Sequence, residues 1–297
     1  MNFRVDRIVE GKHFDIVGMS YIGAPRSNTA MFITKKVEYL LSALDDVSEC
    51  LIFAETGIVV ADELNAKHAF VLTAKPQLAY ARFANQFEEE RFAEEKRLKY
   101  SLTEGGYYVS SDVVLPDDAY IEPGCVIGPD VEIGKGAKIL AGAIIRHSTI
   151  GDSFIANEHA VIGANGFTMA EDEDGNKIRI PTLGRVVIGN HVEIGVHNNI
   201  SCGSGGDTVL EDNVKTDALV HIGHDVHLHK NVEVTAGVTL GGFVNAGEGT
   251  YLGVGSVLRN RISIGEYAFI GMGSNVTKSV EANTVVAGNP AKPFVKK

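Results

Sequence analysis

The sequence predicts a mainly β protein: a left-handed parallel β-helix of hexapeptide repeats, preceded by a small α/β domain. Three observations carry this. From Leu210 to Val280 an aliphatic or small residue recurs every sixth position: Leu210, Ile222, Leu228, Val234, Leu240, Ala246, Leu252, Leu258, Ile264, Ile270 and Val276, with Thr216 the one polar opener. Four places after each opener stands a small or β-branched residue, from Val214 and Val220 through Thr250 and Ser256 to Val280. Residues before about 105 show no such count. Neither a helix nor a strand returns to one face every six residues. A coil of three short straight sides does, with one hexad per side.

The hexads begin at Leu115 and run through Ile121, Ile127, Ile133 and Ile139, slip by one near Ile144, and resume at Ile150, Ala156 and Ile162. From Gly166 to Gly184 the count is lost. This stretch carries EDEDG, which cannot pack inside a prism, so an outward loop is expected there. Counting resumes at Ile188, Ile194 and Ile200, and four extra residues around CGSGGD (202–207) delay the next opener to Leu210. The expected division is an α/β domain with linker helix over 1–105, the β-helix over 106–290 and a short tail over 291–297.

Within the first domain, β-rich runs occur at Phe14–Met19, Met31–Ile33, Leu51–Phe53, Gly57–Val60 and Ala69–Leu72. A helix is expected over Lys35–Leu44. A second begins at Pro76, with Tyr80, Phe83, Ala84 and Phe87 on one side and EEERFAEEKR (88–97) as a solvated continuation.

Composition narrows the function. A length of 297 residues suits two domains, and 33 glycines with no tryptophan suit a repeat with tight corners. A formal charge of −11 argues against a nucleic-acid surface. Cys50, Cys125 and Cys202 form no paired motif and read as reduced thiols. The first residues lack a secretory core and no apolar run approaches a membrane span, so a soluble cytoplasmic protein is expected.

Six histidines fall between 191 and 229: His191, His197, His221, His224, His227 and His229. The hexad count turns all of them outward, and exposed surface histidines are the plain alternative to any role. Metal is another, because β-helical carbonic anhydrases collect three histidines on one surface. The pair His224 and His229 suits two ligands, but counting back two coils from His224 lands on Ile188, so no metal site is expected. His224 stands out because Gly242 lies one coil above it. A glycine there leaves a backbone N–H open beside the imidazole. Acyl transfer needs that pairing, a general base with a donor for the tetrahedral oxyanion. Asp225 and Asp217 are candidates to orient the ring. No GxSxG element or acidic pair competes.

At these residues the chain resembles a known family. KIRIPTLGRVVIGNHVEIG (177–195), DTVLEDNVKTDALVHIGHDV (207–226) and IGANGF (162–167) are similar to UDP-3-O-acylglucosamine N-acyltransferases, the N-acylating enzymes of lipid A assembly. FDIVGMSYIGAPRSNTAMFITKK (14–36) and AKPQLAYARFANQF (74–87) resemble that family's uridine-binding domain and its closing helix. HIGHD (221–225) is also like the related O-acyltransferase, whose catalytic histidine is the second one. The resemblance implies His224 as general base and Gly242 as oxyanion donor. It implies Phe32 as the ring that stacks on uracil, with a core role as its alternative, and Tyr39 as a second aromatic. Asn165, Gly166 and His221 fall on the substrate side. A UDP-linked amino sugar is the implied acceptor and a homotrimer the implied assembly, with no bound cofactor.

The chain also departs from that family. Ser201-Cys202-Gly203 stands where the family usually has Asp-Arg-Gly, and Arg261 where it has a late histidine. The chain stops at VVAGNPAKPFVKK, without the family's helical extension for acyl carrier protein, and GNPAKP (288–293) resembles the end of sugar acetyltransferases that use acetyl-CoA on amino sugars for O-antigens and other glycans. Outward positions beyond Gly242 read as polar, including Asn245, Glu248, Arg259, Asn260, Arg261 and Glu266, with Phe243 and Tyr251 the main exceptions. Arg259, Arg261, Lys278 and Lys292 would suit the phosphates of coenzyme A. The expectation is a short acyl-CoA donor. The alternatives are the lipid A reaction on acyl carrier protein, a metal-dependent hydratase, and a non-catalytic sugar-binding β-helix.

Overall fold

The computed structural model describes residues 2–293; residues 294–297, most of the expected tail, lie outside them. The chain separates into two compact units. One comprises residues 1–95, 167–184 and 204–206, and the other residues 96–166, 185–203 and 207–297. Among the described residues no helix is long and apolar enough to cross a membrane.

The larger unit is a left-handed parallel β-helix with three flat sheets as its faces. From 208 onward each two- or three-residue strand hydrogen-bonds to the strand one coil along, pairing Leu210 with Leu228, Leu228 with Ala246 and Ala246 with Ile264 on one face. Every hexad opener from Leu210 to Val276 is buried, as is every residue four places after an opener, from Val214 to Val280. Each aliphatic side chain stacked in that column contributes roughly 1.5–3 kcal/mol on burial. Thr250 Oγ1 and Ser274 Oγ, enclosed there, donate to the corner carbonyls of Gly247 at 2.7 Å and Gly271 at 2.6 Å, whereas the buried Ser256 Oγ has no partner among the described residues.

The one-residue slip falls between 145 and 148. Val126 pairs with Ile144, eighteen residues on, whereas Val131 pairs with Ser148, seventeen on. Ile145 is therefore the interior residue and Ile144 faces out. The insertion at 202–207 stretches the next coil, so that Ile188 pairs with Leu210, twenty-two residues later. Ile188 consequently stacks inside the prism in the column of Leu210 and Leu228, and counting in eighteens across the insertion misplaces it relative to His224. The corners are left-handed, and several hold bulky side chains at positive φ, among them Leu219, Phe243, Arg261 and Tyr267. Such residues cost of order 1–3 kcal/mol each.

The smaller unit has a four-stranded parallel sheet in the order Gly18–Met19, Thr29–Ile33, Leu51–Glu55, Ala69–Thr73. The helix Pro76–Glu95 packs Tyr80, Phe83, Ala84 and Phe87 into its core, while most of residues 88–95 lie at the surface. Lys35–Asp46 is a 3-10 stretch broken at Val37 rather than one continuous helix. Gly57–Val60 is not a strand: Gly57 turns at φ 90°, Ile58 plugs the core, Val59 faces solvent, and a short helix follows at Asp62–Lys67.

Residues 167–184 do not form a structureless outward loop. They make an antiparallel hairpin, Thr168–Glu171 against Lys177–Ile180, that belongs to the smaller unit. Ala170 and Ile180 are buried with the residues of helix Pro76–Glu95. Arg82 pairs with Glu173 at 2.7 Å, and Asn85 Nδ2 donates to Arg179 O at 2.8 Å. The acidic EDEDG segment is the exposed turn, closed by Asp172 Oδ1, which accepts from the N–H groups of Asp174 and Asn176. A strand period of two inside a field of sixes is too short to register in the sequence.

Candidate acyl-transfer site

Three of the sequence-predicted residues come together at one corner of the prism. His224 follows the strand His221–Ile222, and Asp225 occupies the left-handed corner after it at φ 57°. Aspartate tolerates that conformation better than most residues. The turn brings Asp225 Oδ2 to 2.8 Å from His224 Nδ1, with the aspartate side chain 4% exposed and the imidazole 16% exposed. The Asp225 N–H donates to Thr208 Oγ1, buried one coil below, at 2.9 Å. With the carboxylate on Nδ1, that nitrogen carries the proton and Nε2 keeps its lone pair.

Nε2 faces Gly242. A Cβ built at Gly242 would lie 2.7 Å from both Nε2 and Cε1 of His224, so no side chain fits there without moving the ring. Among the described residues the Gly242 N–H meets no acceptor, whereas Gly223 and Gly241 donate to Leu240 O and Leu258 O in the ladder. A basic nitrogen and an open backbone donor thus sit side by side.

Two side chains that spacing did not single out for this corner complete it. The Phe243 ring stands edge-on to His224, centroids 5.2 Å apart, and the Arg261 guanidinium lies over the Phe243 ring at 4.0 Å. Asp225, Phe243 and Arg261 are one corner column, eighteen residues apart, all near φ 60°. Their common spacing was the available signal. Asp217, the other candidate to orient the base, instead accepts from the Ala218 N–H at 2.7 Å.

His221 stands on the strand that enters the corner, its side chain exposed. Desolvation by the protein around its ring, and then the charge of nearby His224, lower its pKa although one edge reaches solvent. Asn165, exposed, and Gly166, buried, follow the strand Val161–Ala164 in the same sheet as His221. Arg259 and Lys278 are exposed on later coils, as is Lys292 near the end of the described chain. Phe32 and Tyr39 belong to the smaller unit. Phe32 is half-buried with its ring 5.3 Å from Tyr80, and Tyr39 is 75% exposed. All three cysteines are buried thiols.

The later coils are less polar outside than their sequence implied. Val254, Val257, Phe269, Met272 and Val285 are exposed, and Tyr251 stacks on Phe269 at 4.7 Å across adjacent coils. The hexad reading gave these openers' neighbours little weight because an outward apolar residue leaves the period unchanged.

The bacterial transferase hexapeptide (six repeats) family matches residues 112–147 and 207–242, the second match ending on Gly242. Both matched stretches lie within the prism. A UDP-3-O-acylglucosamine N-acyltransferase of Hydrogenovibrio crunogenus is 42% identical to this chain over 108 residues, 36% of this chain and 31% of that one. One from Cupriavidus pinatubonensis is 24% identical over 242 residues, 73% of this chain and 65% of its own length. The chain therefore spans from about a third to just under two thirds of the length of these curated relatives. Among solved structures, a UDP-N-acetylglucosamine acyltransferase from Campylobacter jejuni superposes with a TM-score of 0.57 at 25% identity, covering 64% of this chain and 72% of that one. An LpxA from Acinetobacter baumannii gives 0.59 at 24%, covering 65% and 74%. The latter likeness is one of fold.

Proposed function

We propose that the protein is an N-acyltransferase that moves an acyl group from a thioester to the amino group of a UDP-linked glucosamine derivative. The pairing of His224 Nε2 with the open N–H of Gly242 supports this reading above all. In the proposed reaction His224 takes a proton from the attacking nitrogen as the amine adds to the thioester carbonyl. The Gly242 N–H stabilises the oxyanion, and collapse of the tetrahedral intermediate expels the thiol. Asp225 holds the ring in the required tautomer and balances the charge of the imidazolium.

The names of the curated relatives favour a 3-O-acylated glucosamine as acceptor. For the donor, the half-buried Tyr251 and the exposed Val257, Phe269 and Met272 favour a long acyl chain over acetyl-CoA, since each methylene sheltered is worth roughly 0.8 kcal/mol. Arg259, Arg261 and Lys278 supported the short acyl-CoA reading, but the face of Arg261 is occupied by Phe243. The outward-facing site corner is the reason to propose a homotrimer, in which a neighbouring copy would wall each site under closed cyclic symmetry. Mass spectrometry of a panel of UDP-amino sugars, incubated with acyl carrier protein thioesters and acyl-CoAs, tests acceptor and donor together. A mass gain only with acetyl-CoA would overturn the long-chain assignment, and none with any pair would overturn the activity.

A further inference from the structure

One sheet face of the prism brings together a glutamate and two histidines that no acyl-transfer role uses. His227 and His229 flank the buried Leu228, so both project outward from the same strand. Glu211 lies one coil below, beneath His229, because Leu210 pairs with Leu228. The imidazoles stack with centroids 4.0 Å apart. His227 Nε2 lies 2.8 Å and His229 Nδ1 3.0 Å from the same oxygen, Glu211 Oε1. The three ligand atoms all fall within 4.8 Å of one another.

The partners around these groups select their free atoms. Asn245 Oδ1, one coil above, lies 3.0 Å from His229 Nε2, which must therefore carry the proton. Nδ1 of a neutral His229 then points its lone pair at a carboxylate oxygen. Lys230 N–H occupies the other carboxylate oxygen, Oε2, at 3.2 Å. His227 Nε2 can donate to Glu211 Oε1 as an ordinary neutral imidazole, but the His229 lone pair faces that oxygen without a hydrogen between them. A proton on His229 Nδ1 relieves this by making that ring an imidazolium stacked on its neighbour. One divalent ion serves all three ligands at once.

We propose that Glu211 Oε1, His227 Nε2 and His229 Nδ1 bind a first-row divalent transition metal, zinc being the natural occupant. Bonds of roughly 2.0–2.1 Å to nitrogen set tetrahedral ligand atoms about 3.3 Å apart, so the observed separations need open by only a few tenths of an ångström. Binding shifts any Nε2 proton of His227 to its Nδ1 and leaves the Asn245 contact intact. All three ligands are only part-buried, which leaves the fourth position to water. Asn245 is the outer partner that fixes the His229 tautomer. The set was hidden in the sequence because its acid lies a full coil away from its histidines.

The test is zinc titration of chelator-stripped full-length protein by calorimetry, with cobalt absorption as a second reading. One ion per chain and visible cobalt bands of a low-coordinate site are expected. Glu211→Gln and His229→Ala should each weaken zinc binding at least tenfold, and Asn245→Ala by about 10- to 100-fold. His191→Ala should bind as wild type does. Circular dichroism of each stripped variant checks that the prism is folded. No binding at micromolar zinc by folded wild type, or equal binding by Glu211→Gln and wild type, would overturn the site.

Discussion

Asp225 and His224 are adjacent in sequence, yet the left-handed corner at Asp225 swings its carboxylate back onto the ring, Oδ2 to Nδ1 at 2.8 Å. His224→Ala is therefore expected to lower kcat by roughly 10²–10⁴-fold, the contribution of a positioned general base. Asp225→Asn should fall between wild type and His224→Ala, since a ring is still held but its tautomer is not. Steady-state rates on the best acceptor from the mass-spectrometric panel would check both. Unchanged kcat in His224→Ala would dismiss it as the base.

Gly242→Ala places a methyl group where the imidazole is, with a 2.7 Å approach to Nε2. The expected result is a folded prism with kcat lowered by about 10²–10³, comparable with loss of an oxyanion donor. The His224 ring resonances in a heteronuclear spectrum should move as well. A variant as active as wild type would show that the corner has room the structure lacks.

Phe243 sits at φ 62° and packs its ring against both His224 and Arg261. Phe243→Gly relieves a strained conformation but removes that ring. Stability should stay within about 1 kcal/mol of wild type while activity falls. Denaturant melts beside kinetics would separate the two effects, and a large loss of stability would assign the ring a purely structural role.

His68 is fully buried in the smaller unit, where Nδ1 accepts from the Cys50 N–H at 3.2 Å and Nε2 donates to Leu44 O at 3.2 Å. Burial lowers its pKa below the ordinary 6.5, and the Leu44 carbonyl opposes this only in part. The folded chain therefore binds fewer protons than the unfolded chain once pH drops below about 6.5, so stability declines from there toward the lowered folded pKa. Urea melts at pH 7.5 and 5.5 should show this loss reduced in His68→Gln. Equal acid sensitivity in the two proteins would assign the effect to other groups.

Leu240 is fully buried between the coils of Ile222 and Leu258. Leu240→Ala should cost about 2–5 kcal/mol, read as a lower denaturation midpoint, whereas the exposed Lys278→Ala should be nearly neutral.

The sequence exposed the prism because burial in a β-helix repeats with the chain itself: Leu210 to Val276 announce their column without any knowledge of contacts. The pairing of His224 with Gly242 was legible for the same reason, since one coil is a fixed number of residues. What failed were places where the count breaks. The insertion at 202–207 broke the count of eighteens that set Ile188 two coils below His224, although Ile188 is the interior opener that the hexads made it. The hairpin at 168–180 obeys a period of two, and its partners, Arg82 and Asn85, lie some ninety residues away. Orientation was equally hidden. Nothing in spacing chooses Asp225 over Asp217, because the choice depends on which way a left-handed corner turns a short side chain.

The smaller unit takes its residues from three separated stretches, with 167–184 and 204–206 leaving the repeat and returning to it. It is thus stitched into the prism's own thread rather than appended ahead of it. Cutting the chain at 95 would not release an intact module. The remainder would keep the hairpin but strip Ala170 and Ile180 of their cover, and the excised piece would lose the strands that close over Pro76–Glu95. Such a unit cannot be moved to another scaffold as one continuous segment.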